Sequence, residues 1–93
     1  MFKTRPGIVL TRICDQSILV AAYEARKYCP YTMILNESGA AIWECLEAGK
    51  DLLGIKEYLL DEFEIPNEID LNEMVDNYIN ILYSNGYLLD EER

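Results

Sequence analysis

Histidine is absent from this sequence, cysteine and proline occur three times each, tryptophan once, and eight basic residues face seventeen acidic ones. Each shortage closes off a chemistry. Without histidine there is no imidazole to serve as a general base near neutral pH or to activate a serine or cysteine nucleophile. Cys14, Cys29 and Cys45 are odd in number, widely spaced and lack a C-x-x-C pair. A zinc site within one chain wants four ligands in close pairs, so no metal is expected and the cysteines read as reduced, small apolar residues. Cys29 lies in a polar stretch ahead of Pro30 and is the one expected to be exposed. The glycines do not form a phosphate-cradling G-x-G-x-x-G or P-loop pattern. The longest apolar run, Ile18 to Tyr23, is too short to span a bilayer, and Lys3, Arg5, Pro6, Gly7, Arg12 and Asp15 interrupt the first twenty residues. A cytoplasmic protein without membrane association is expected.

What is present is size for one core and a strong charge asymmetry. Residues 1–93 are expected to form one domain, with little volume to spare for a deep active-site cavity. Residues 1–36 hold five basic and two acidic side chains, whereas residues 37–93 hold three basic and fifteen acidic, net +3 against −12. Phosphate backbones are repelled by an acidic surface, which argues against nucleic acid as a partner.

The pattern along the chain predicts an α+β fold. Gly7 to Cys14 and Ser17 to Tyr23 are rich in aliphatic and β-branched residues, and Asp15-Gln16 between them has the length of a hairpin turn. Glu24 to Pro30 reads as a loop and Tyr31 to Leu35 as a third strand. Asn36 is a good helix cap, and Ala40, Ile42, Trp43 and Leu46 give a helix over about residues 37 to 47 that Gly49 terminates. Asp51 caps a second helix with Leu52, Ile55, Leu59 and Phe63 at helical spacing. A third begins between Asn67 and Leu71, where Asp70 and Glu73 resemble a capping box, and carries Leu71, Val75, Tyr78, Ile79 and Leu82 inward. Asn85-Gly86 stops it, and Tyr87-Leu88-Leu89 is an apolar return before the charged tail Asp90 to Arg93.

No catalytic constellation emerges: the acidic residues are strewn over the helices as a solvated face, with no nucleophile or metal-ligand cluster beside them. Neither an enzyme nor a cofactor is expected. Trp43 reads as core. The seven tyrosines are more suggestive, because interfaces enrich tyrosine; Tyr28 and Tyr31 flank Cys29-Pro30, and Tyr78, Tyr83 and Tyr87 lie on or after the third helix. A three-stranded antiparallel sheet also leaves two edges of unpaired backbone groups, which an extended peptide can complete by strand addition.

Pro6, the tract Leu35-Asn36 running into Glu37 to Glu44 (ESGAAIWE), Gly49, and Gly86 to Leu88 occur in an order and spacing that resembles the PqqD-like family over nearly the whole chain. The resemblance implies a winged-helix-like module with an N-terminal three-stranded sheet and three helices. It also implies a non-catalytic adaptor that binds the leader of a ribosomally made precursor peptide and presents it to a modifying enzyme, often a radical S-adenosylmethionine protein. In that family the leader lies along the third strand against the third helix. By position this gives Thr32, Met33, Ile34 and Leu35 on the strand, and Met74, Asn77, Tyr78 and Ile81 on the helix. Met74 and Ile81 fit completion of the core equally well. The loop Glu24 to Pro30 departs from the short glycine turn common in the family. Two other readings stand beside this one: a winged-helix transcriptional regulator, which the acidic helices oppose, and a detached domain that only stabilises a partner enzyme. A free sheet edge would also permit a homodimer.

Overall fold

The computed structural model describes residues 2–29 and 32–90. Five strands and three α-helices follow one another as β1 (Phe2–Thr4), β2 (Ile8–Ile13), β3 (Gln16–Ala21), a 3-10 helix (Tyr23–Lys27), β4 (Met33–Leu35), α1 (Glu37–Glu47), α2 (Leu52–Glu62), α3 (Leu71–Ser84) and β5 (Leu88–Asp90). The architecture is α+β, an antiparallel sheet of order β2-β3-β4 followed by three helices, as expected.

The hairpin turn is displaced by one residue from the sequence expectation: Ile13 pairs with Gln16, so the loop is Cys14-Asp15. Both residues have positive φ, 50° and 68°. Left-handed backbone at both central residues is what a two-residue turn needs to match the right-handed twist of its strands, and here it is adopted without glycine. The register it sets aligns Leu10 with Leu19 and Met33, and Ser17 with Leu35. Leu19 and Leu35 are buried, with Leu10 and Met33 packed against the same core. The opposite face carries Val9, Ile13 and Ile34, each more than half exposed. Apolar residues therefore stand on both faces, which is why these strands read as continuous aliphatic runs rather than alternating ones.

The helix boundaries follow the caps. Asn36, Asp51 and Asp70 each accept a hydrogen bond from the backbone N–H three residues on, at 2.7, 2.9 and 3.2 Å. At the far ends Gly49 and Gly86 close α1 and α3 in the same way, with Lys50 N donating to Cys45 O at 3.0 Å and Tyr87 N to Leu82 O at 2.9 Å. This six-to-one bond satisfies a carbonyl that the helix leaves open. Helix α1 touches α2, β1 and β4 and forms the centre of the molecule, with Ile42 and Trp43 fully buried. The Trp43 indole nitrogen is buried without a hydrogen-bond partner among the described residues.

Further expectations change. The stretch after β3 is a 3-10 helix rather than an irregular loop, closed by Tyr28 and Cys29 N–H groups that both donate to Ala25 O at 3.0 Å. Cys29 is buried, not exposed, because that turn folds it under Gly86. The apolar return after α3 is a strand, since Leu88 pairs with Thr4 and Asp90 with Phe2, forming a second antiparallel sheet with β1. The expected strand over Tyr31 to Leu35 begins at Met33; Pro30 and Tyr31, and the tail after Asp90, lie outside the described residues.

Candidate functional site

Because β4 is the last strand of its sheet, one edge pairs with β3 and the other has no strand partner among the described residues. Two cavities lie beside it. One, of about 490 Å³, joins Thr32 and Met33 to Tyr83 and Ser84 at the end of α3, with Arg5 and Tyr28 on its rim. The other, of about 570 Å³, joins Ile34 and Asn36 to Tyr78, earlier on α3, and to the hairpin residues Arg12 and Gln16. Advancing along β4 thus means moving backward along α3, so strand and helix run antiparallel along one cleft. A strand edge, two cavities and a tyrosine-bearing helix are the elements of a site for extended chain.

Asn36 fixes the geometry of one end. Its side-chain oxygen accepts from Gly39 N at 2.7 Å, from the Ser38 hydroxyl at 3.2 Å and from the Tyr78 hydroxyl at 3.3 Å. One residue therefore caps α1 and ties it to α3. The Tyr78 phenol lies over Gly39 so closely that a Cβ there would overlap its hydroxyl and ring. Burial pushes the Tyr78 phenol up from its ordinary value, with the contact to Asn36 acting the other way.

Arg5 organises the other end. Its backbone N–H donates to Tyr87 O at 3.0 Å, its Nε donates to Gly86 O at 2.6 Å, and its guanidinium lies 4.1 Å from the centre of the Tyr28 ring. Tyr83 packs edge-on against Phe2 with ring centres 5.3 Å apart. The Cys29 and Tyr87 side chains form the buried wall; desolvation pushes both up, and the Arg5 charge partly offsets this at Cys29.

The sequence-derived residues do not all line these two cavities. Thr32, Met33, Ile34, Leu35 and Tyr78 line its cavities. Leu35 offers only its backbone, because its side chain is in the core. Met74 is half-buried against the core, while Asn77 and Ile81 are exposed on α3 and line neither cavity. Sequence reasoning missed Arg5 as a lining residue. The bond from Arg5 to Gly86 spans 81 residues, and no local pattern encodes it. Tyr28, Tyr83 and Tyr87 carried a signal in their clustering but no position. Among the described residues no group of three histidine, cysteine or carboxylate side chains could hold a metal ion, and no helix is long and apolar enough to cross a membrane.

Residues 30–88 match the family model described as Coenzyme PQQ synthesis protein D (PqqD). The chain belongs to the PqqD family. Two solved structures share the fold across nearly their full lengths. One is TbiB1 in complex with the TbiA(beta) leader peptide, at TM-score 0.76 and 19% identity, covering 98% of this chain and 99% of that one. The other is lasso peptide synthetase B1 complexed with the leader peptide, at TM-score 0.75 and 21% identity, covering 96% and 98%. No curated protein matches the chain by sequence. The family match begins at residue 30 and so includes β4, α1 and α3, while the Arg5 end of the cleft is built partly by residues ahead of it.

Proposed function

We propose that this PqqD-family chain is a non-catalytic adaptor: it binds the leader of a ribosomally made precursor peptide as an added strand on β4 and presents it to a modifying enzyme, such as a radical S-adenosylmethionine protein. The observation that carries the reading is the outer edge of Met33–Leu35 beside α3, which has no strand partner among the described residues and is flanked by a cavity at each end. Backbone bonds from such an edge give affinity that tolerates sequence variation, and the cavities select side chains. The family match and the leader-bound state of both structural neighbours support it. On this reading Thr32, Met33, Ile34 and Leu35 supply the strand side, and Tyr78, with Met74, Asn77 and Ile81 around it, the helix side.

The test is an NMR titration of labelled protein with the leader segment of a short precursor encoded beside its gene. Shifts concentrated on residues 32–36 and on α3 around Tyr78 and Tyr83 are expected. Tight binding with shifts confined elsewhere, or none at millimolar peptide, would reject the strand-addition site.

A further inference from the structure

We propose that Arg5 makes the Thr32–Met33 end of the cleft a carboxylate-binding subsite, selecting peptides that carry an acidic group at the C-terminal end of the docked segment. This rests on the strand-addition reading above and names the chemistry that reading leaves open. Among the described residues lining this cavity, Arg5 is the one that carries a charge; its neighbours Tyr28, Thr32, Tyr83, Ser84 and Asn85 are neutral hydrogen-bonding groups. The guanidinium is held in place twice, by the 2.6 Å bond from Nε to Gly86 O and by stacking on Tyr28. Neither contact uses the terminal Nη groups, and Arg5 has no carboxylate partner among the described residues. A planar guanidinium fixed through Nε and its face, with the terminal donors open, is pre-organised for a carboxylate.

The rest of the molecule sharpens the inference. Residues 37–93 are net −12, so a peptide acid approaching α2 or α3 is repelled everywhere except where a fixed cation stands. Every strand pair here is antiparallel. A peptide added to β4 in the same sense runs from the Asn36 end toward Thr32, which brings its C-terminal part to Arg5. The carboxylate can come from an aspartate or glutamate side chain or from a free peptide C-terminus, and the test separates the two.

The first arm needs no leader. N-acetylglutamate α-amide, N-acetylglutamine α-amide and N-acetylglycine are titrated into the labelled protein while the Arg5 Nε–H and Gly86 N–H signals are followed. Saturable shifts with the glutamate compound and none with the glutamine compound are expected; a response to N-acetylglycine alone assigns the site to a chain terminus instead of a side chain. The second arm uses the C-amidated leader segment and variants in which each acidic residue is replaced by its amide. One replacement near the C-terminal end of the footprint is expected to weaken binding roughly 10- to 100-fold, the range for a hydrogen-bonded charged group. That difference should shrink to about twofold or less in Arg5→Gln, with Arg5→Lys keeping part of it. If the leader binds on β4 and neither an acidic-residue replacement nor restoring its free C-terminal carboxylate changes affinity more than about twofold, or if the glutamine compound shifts Arg5 as strongly as the carboxylates do, the subsite is overturned. If the small carboxylates bind but no leader does, the adaptor reading fails and the anion site stands.

Discussion

At the scale of single residues, Gly39 and the cysteines carry the most information. Helical glycine ordinarily costs about 1 kcal/mol relative to alanine. Here the sign reverses, because the added methyl would meet the Tyr78 phenol. Gly39→Ala is expected to destabilise by about 1–3 kcal/mol through overpacking, and to become neutral or stabilising in a Tyr78→Ala background. Urea unfolding of the four proteins in that cycle measures the coupling. The glycine was visible in the sequence as part of a helix start; its reason, an aromatic ring from 39 residues away, was not. The thiols give a second prediction. Cys14 is exposed on the hairpin turn, whereas Cys29 and Cys45 are buried and desolvation raises both pKa values. A thiol reagent at pH 8 should therefore label one cysteine rapidly in the native protein and all three in denaturant. Rapid native labelling of Cys29 would show that the 3-10 turn does not bury it.

At the scale of elements, the cleft depends on how α3 ends. Gly86 has φ +88°, and a Cβ on it would come 2.8 Å from the Tyr28 carbonyl oxygen and 3.2 Å from Cys29 Sγ. Backbone carbonyl cannot swing aside as a side-chain tip can. Gly86→Ala is thus expected to cost about 2 kcal/mol or more, combining left-handed strain with displacement of the 3-10 turn. The same change moves the Gly86 carbonyl that anchors Arg5 and should weaken any peptide that uses that end of the cleft. A thermal unfolding comparison with wild type tests the first effect; Arg5 Nε–H exchange tests the second. The sequence marked Asn85-Gly86 as a helix stop because the glycine and its position after an apolar stripe are local. That the stop also seats the 3-10 helix and the Arg5 side chain depends on contacts spanning more than fifty residues. The helix caps were legible for the same local reason, and the hairpin register was off by one because Cys14-Asp15 adopts left-handed backbone that its composition does not advertise.

At the scale of the whole molecule, burial of weak acids in a small core sets the response to alkali. Cys29, Cys45, Tyr78 and Tyr87 all have folded pKa values raised chiefly by desolvation. The folded state keeps these protons at a pH where the unfolded chain releases them. The stability they contribute is therefore fully present below about pH 8.5 and lost as pH rises through the cysteine and then the tyrosine range. Denaturation midpoints should fall between pH 8 and pH 11, and fall less in Cys45→Ala than in wild type; a flat profile would show that these groups stay solvated. The sequence by itself determined the fold class, the three helices with their caps, the charge imbalance and the family, because periodicity, capping residues and composition are encoded within a few positions of one another. Tertiary structure alone decided that β1 and β5 pair, that Cys29 is buried, and that Arg5 joins Thr32 and Tyr83 at one end of the cleft. Those juxtapositions bring together residues far apart in the chain, and they are fixed by which apolar faces find one another when the core closes.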